Sequence, residues 1–113
     1  MAKTAIPPGT LDMLILRMLA HHGELHGFEI AESIRLTSAD VLTVEEGSLY
    51  PALQRMLAQD WVLAEWGHTE LGRRARYYKL TPAGRKQLAH EVQDWKRVCT
   101  AIAHILNPPR LAT

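Results

Sequence analysis

The stretch Glu46-Gly47-Ser48-Leu49-Tyr50-Pro51-Ala52-Leu53 reads as the opening of a helix, and further along Gly72-Arg73-Arg74-Ala75-Arg76-Tyr77-Tyr78 reads as the returning arm of a basic hairpin. Ser48 is a capping residue whose hydroxyl can satisfy free N–H groups, and Pro51 falls in the first turn, where a missing N–H costs little. These signals predict a helix over about Ser48 to Gln59. At about 100° per residue, Leu49, Leu53, Met56, Leu57 and Asp60 gather on one side and Ser48, Tyr50, Pro51, Gln54, Arg55 and Ala58 on the other. The polar group is the candidate reading face.

On the C-terminal side, Trp61 to Trp66 reads as a strand, Gly67 to Gly72 as a turn region and Arg74 to Leu80 as the returning strand. One of Tyr77 and Tyr78 is expected in the core. On the N-terminal side, Thr10 is a good N-cap, and Leu11, Leu14, Ile15, Met18 and Leu19 recur at helical spacing until His22-Gly23. Met13 and Leu16 lie outside that stripe, so they call for burial on a second side, by another helix of the chain or by a partner subunit. The residues up to Ile6-Pro7-Pro8-Gly9 read as a frayed arm, and a further helix is expected from near Gly27 through Arg35.

Three helices followed by a hairpin is the winged helix-turn-helix order, in which the third helix enters the major groove and the hairpin reaches the neighbouring backbone. The fold class expected is therefore mainly α with a small β-hairpin: residues 1–80 as the winged helix-turn-helix, and residues 81–113 as one long C-terminal helix with its tail. Thr81 caps that helix, Pro82 occupies its first position and Pro108-Pro109 ends it. Within it Leu88, Val92, Trp95, Cys99, Ile102 and Leu106 form a heptad seam, which predicts a homodimer.

The formal net charge of +1 conceals a segregation of charge. Residues 1–60 carry four Lys or Arg against eight Asp or Glu, whereas residues 61–113 carry nine against four. Between Leu71 and His90 stand Arg73, Arg74, Arg76, Lys79, Arg85 and Lys86 with no acid among them, so positive potential concentrates on the hairpin and just beyond it. Double-stranded DNA is the expected partner. Gln54 and Arg55 would reach base edges or nearby phosphates, Ser48 and Tyr50 would offer hydroxyls, and Arg73, Arg74, Arg76 and Lys79 would hold the sugar-phosphate chain. A winged-helix adaptor for other proteins is the competing class, but it would not need a continuous basic wing.

Other classes find little support. The chain has no recognisable nucleophile or general-base arrangement and no phosphate-binding glycine loop, so neither an enzyme nor a cofactor is expected. His21, His22 and His26 are close in sequence but lack any metal-ligand spacing, so no metal is expected. Cys99 is the single cysteine and excludes an intramolecular disulfide; with no leader-like start and no long apolar run, the expected location is the cytoplasm, with no membrane partner.

Several motifs in order together resemble the PadR family of bacterial transcriptional regulators: Gly9-Thr10-Leu11-Asp12-Met13-Leu14-Ile15-Leu16, His26-Gly27-Phe28-Glu29-Ile30, Glu46 to Leu53, and Arg73 to Gly84. The single helix after the wing resembles the family's small, short-tailed subclass. That resemblance implies a homodimeric regulator, commonly a repressor, on a pseudo-palindromic operator, with Ser48, Tyr50, Pro51 and the wing arginines at DNA-contact positions. It also implies a small-molecule effector as a second reading, since in a multidrug-responsive member a tryptophan at the position of Trp95 stacks planar aromatic ligands at the dimer interface. Two departures stand out: Phe28 replaces the commoner Tyr, and Glu70 places an acid in the wing turn, where it would repel phosphate.

Overall fold

The structure is a computed structural model and describes residues 3–108. Helix α1, Leu11–His22, runs through the middle of the core and contributes Met13, Ile15, Leu16 and Leu19, all buried. Both residues that needed cover on a second side find it within the chain, because α1 packs against α2 (Gly27–Thr37), α3 (Glu46–Ala58) and the long α4 (Pro82–Leu106). Ile30 and Ile34 of α2, Leu49, Ala52, Leu53 and Met56 of α3, and Leu88 of α4 complete the helical part of the core. Together these elements and the hairpin make a winged helix-turn-helix with one long C-terminal helix.

The hairpin strands are β4, Val62–His68, and β5, Arg74–Leu80, in antiparallel register with Val62 opposite Leu80 and His68 opposite Arg74. A third strand, β2 (Glu24–His26), joins the other edge of β5 and pairs Leu25 with Tyr78, so the wing is a three-stranded sheet. Leu25, Val62, Tyr78 and Leu80 turn inward, which makes Tyr78 the core tyrosine. Burial raises its phenol pKa above the ordinary value.

Three sequence expectations need correction. The N-terminal arm is not frayed over Thr4–Ala5, which pair in parallel with Leu42–Thr43 ahead of α3; the Thr4 N–H donates to the Val41 carbonyl at 2.7 Å. Helix α3 starts at Glu46 rather than Ser48, with Glu45 at the N-cap, and Ser48 does not cap it. Pro51 therefore lies in the second turn. It cannot donate to the Gly47 carbonyl, and both residues are exposed, so solvent can satisfy the freed acceptor. Thr10 does hold the N-cap position of α1, but its hydroxyl donates backwards to the Pro7 carbonyl at 2.8 Å and makes no cap bond.

The start of α4 follows its sequence signals. The Thr81 hydroxyl accepts from the Gly84 N–H at 3.0 Å, and Pro82 takes the first helical position. Its first turn crosses so close to the residue preceding β4 that a Cβ on Gly84 would stand 2.0 Å from the Trp61 carbonyl oxygen. The helix then runs out past the core, which gives the molecule its extents of 66 × 35 × 22 Å. Pro109, expected to help end it, lies outside the described residues.

Candidate nucleic-acid interface

The burial of Leu49, Ala52, Leu53 and Met56 fixes the rotation of α3 about its axis. Directly opposite, within an arc of about 60°, lie Gly47, Pro51, Gln54 and Ala58, all exposed. The remaining polar residues of the predicted reading face occupy the two flanks, and each flank meets another element.

Tyr50 lies on the α2 flank. Its ring covers Gly27, where a Cβ would come within 2.7 Å of the hydroxyl and 2.9 Å of the ring. The N-terminus of α2 beneath it is closed by a capping box: His26 Nδ1 accepts from the Glu29 N–H at 3.4 Å, and Glu29 Oε1 accepts from the His26 N–H at 3.1 Å. Glu46 shares this side, in a cleft with Phe28, Glu32 and Arg35. Hydrogen bonds to Glu32 and Asp40 raise the Arg35 pKa above its ordinary value and keep that guanidinium occupied.

Arg55 lies on the opposite flank and is not free. Its Nη2 donates to Asp12 Oδ1 at 2.9 Å, tying α3 to the first turn of α1. Ser48 stands on the same flank, at a cleft it shares with Ile6, Pro7, Pro8 and Thr43 of the arm and the β3 segment, Leu42–Thr43. Neither Asp12 nor Gly27 emerged as a partner from sequence, because both contacts join residues from separate helices.

The cations of β5 divide by strand parity. Arg74 and Arg76 share the face that continues from Tyr78 and Leu80, together with Trp66 and His68 of β4. The Arg74 guanidinium lies 4.2 Å from the centre of the Trp66 ring, a stacking contact that holds the cation in place while leaving the indole largely exposed. Lys79 belongs to the opposite face, between Glu24 of β2 and Leu63 of β4, away from Arg74 and Arg76. Arg73 sits where the turn rejoins the strand: its N–H donates to Thr69 Oγ1 at 3.2 Å, and its carbonyl accepts from the Thr69 N–H at 2.8 Å. Gly72, at φ +80°, makes that turn possible. Glu70 is exposed at the tip.

The seam predicted on α4 divides as well. Leu88 belongs to this chain's own core and Val92 packs against it, whereas Trp95, Ile102 and Leu106 are exposed and Cys99 is half-buried. Val98 and Ile105, absent from the predicted seam, add exposed apolar surface to the same stretch. Trp95 and Val98 also line a cleft of about 230 Å³ with Pro8, Thr10, Met13, Glu91 and Asp94. Asp94 accepts from Arg97 at 2.7 Å, which holds its carboxyl below the usual range. Among the described residues, no three His, Cys, Asp or Glu side chains gather in a metal-binding group, and no helix is long and apolar enough to cross a membrane.

A family model described as the transcriptional regulator PadR-like family matches residues 15–90. Among solved structures, a transcriptional regulator from Clostridium thermocellum superposes with a TM-score of 0.76 at 28% identity, covering 84% of this chain and 91% of that one. A PadR-like transcriptional regulator from Bacillus cereus gives a TM-score of 0.74 at 29% identity, with coverage of 89% and 95%. An uncharacterised protein from Lysinibacillus sphaericus is 29% identical over 98 residues, spanning 87% of this chain and 89% of its relative.

Proposed function

The chain belongs to the PadR-like family of transcriptional regulators, which are DNA-binding proteins and not enzymes, and on that premise we propose that it acts as a homodimeric repressor of a pseudo-palindromic operator. Each α3 would enter a major groove, and Arg73, Arg74 and Arg76 would hold the adjacent backbone, with half-sites about 34 to 36 Å apart for a one-turn spacing. The observation that carries this reading is the pairing of an exposed, acid-free outer face on α3 with three wing arginines, one of them braced on Trp66. Dimerisation through α4 is supported by its exposed Trp95, Val98, Ile102, Ile105 and Leu106, a run of apolar surface that a single chain leaves in water. Residues 1–80 would then serve as the DNA-binding unit and 81–113 as the dimerisation unit.

Footprinting on the protein's own upstream region tests the proposal. An inverted repeat protected with steep salt dependence is the expected result. A solitary chain in sedimentation, or no duplex binding at low salt, would overturn it.

A second reading concerns an effector. The cleft beside Trp95 combines a partly exposed indole with the carboxylate of Glu91 and with Asp94, already paired to Arg97, which suits a planar aromatic ligand carrying a positive charge on the Glu91 side. Quenching of Trp fluorescence and weaker operator binding across a panel of such compounds would support it, and no response in either measurement would remove it.

A further inference from the structure

We infer that Gln54 is the one side chain of α3 that reads a base edge, and that it selects adenine at one position of each half-site. The inference rests on the DNA-binding reading above. Of the six residues on the predicted reading face, Tyr50 is stacked over Gly27, Arg55 is bonded to Asp12 and Ser48 stands at the arm cleft. Pro51 and Ala58 remain outward but carry no polar side-chain group, and Gly47 between the flanks has no side chain at all. Gln54 lies within this arc, exposed, with an amide long enough to reach a groove floor.

A glutamine amide presents one donor and one acceptor side by side. In the major groove that pair matches adenine, whose N7 accepts and whose N6 amino group donates. Guanine offers two acceptors, N7 and O6, and is matched by a cation, but the cation on this helix is turned aside to Asp12. Pro51 and Ala58, on either side of Gln54 along the outward stripe, present apolar surface of the kind that packs on a thymine methyl group. The helix therefore offers an A·T-reading centre flanked by apolar contacts, while the wing arginines supply affinity without sequence information.

Selection from a random duplex library with the full-length wild-type protein, and with Gln54→Ala and Gln54→Glu, tests the assignment. The expected wild-type motif holds one adenine per half-site whose replacement weakens binding by about ten- to hundred-fold. Gln54→Ala should lose preference at that position alone, and Gln54→Glu, now an acceptor only, should move it toward cytosine. Gln54 is exposed, so thermal melts of both variants should match wild type. A 7-deazaadenine placed at that position removes the N7 acceptor; it should weaken wild-type binding and leave Gln54→Ala indifferent. Retention of the adenine preference by Gln54→Ala, or equal 7-deazaadenine penalties in both proteins, overturns the assignment while leaving DNA binding intact. A wild-type protein that enriches no motif and shows no salt-dependent duplex binding overturns the DNA reading itself.

Discussion

The Tyr50 ring rests on the Cα of Gly27, so closely that a methyl group there would stand 2.7 Å from the tyrosine hydroxyl. The contact joins two segments that look like separate motifs in sequence, His26-Gly27 at the start of α2 and Leu49-Tyr50-Pro51 in α3. It packs the two helices of the helix-turn-helix pair together on the flank of α3 where Tyr50 stands.

Gly27→Ala should therefore displace the tyrosine at a cost of about 1 to 3 kcal/mol, the usual range for overpacking. Without the ring, the same change should be neutral or stabilising, since alanine is a better helix former than glycine. Denaturant unfolding of Gly27→Ala, Tyr50→Ala and the double variant reads this directly. A Gly27→Ala penalty unchanged in the Tyr50→Ala background would show that the close approach does not control the site.

Gly84 faces a harder obstacle, because its Cβ would meet the backbone oxygen of Trp61 and not a side chain that can swing away. Gly84→Ala should destabilise the fold by about 3 kcal/mol, near the upper end of overpacking costs. The same carbonyl accepts from the Thr81 N–H at 3.0 Å, so a shift at Gly84 also disturbs the start of α4. A melting temperature equal to wild type would contradict this packing.

Much of this architecture was legible because its signals are local. Thr81-Pro82 announces the start of α4 through cap chemistry confined to four residues, and the alternation from Arg74 to Leu80 matches β5 throughout. The start of α3 was misread because Ser48 is a good cap by type, while Glu45 supplies the cap position through its backbone, its carbonyl accepting from the Leu49 N–H at 2.9 Å. Strand β2 has three residues, too few for alternation to register, and becomes a strand only by adding to the edge of β5. The engagement of Arg55 could not be read at all: its partner is 43 positions away, and a helical wheel reports which side a residue takes but not who meets it there.

That engagement makes Asp12 a brake on Arg55. The pair is partly solvent-exposed, with side-chain exposures of 59% and 24%, so its loss should change stability by less than about 1 kcal/mol. Asp12→Ala should nevertheless free a cation beside the proposed groove. We expect tighter non-specific duplex binding at low salt and a salt dependence steeper by up to about 0.9 per added phosphate contact. Identical salt plots for Asp12→Ala and wild type would mean that Arg55 has no reach to phosphate even when released.

The division of wing cations between sheet faces separates two further variants. Arg76→Ala should reduce the salt slope by about 0.9, whereas Lys79→Ala, on the face with Glu24 and Leu63, should leave it unchanged. Dimerisation should be unaffected in both. A larger effect from Lys79→Ala than from Arg76→Ala would place the opposite face of the wing against the nucleic acid.

The two halves of the α4 seam should fail in different ways. Leu88 lies in the core of its own chain, so Leu88→Ala should lower the unfolding free energy by about 2 to 5 kcal/mol through loss of burial and the cavity left behind. Ile102 touches no part of that core and is about half exposed, so Ile102→Asp should leave the helix and wing folded while placing a charge in the proposed interface. Sedimentation velocity over a range of concentrations, paired with circular dichroism, distinguishes the two. The expected outcome for Ile102→Asp is a folded monomer with operator affinity sharply reduced, because two reading heads would no longer be held at a fixed spacing. A variant that remains dimeric with wild-type affinity would locate the interface elsewhere, and the exposed run from Trp95 to Leu106 would then need a different partner.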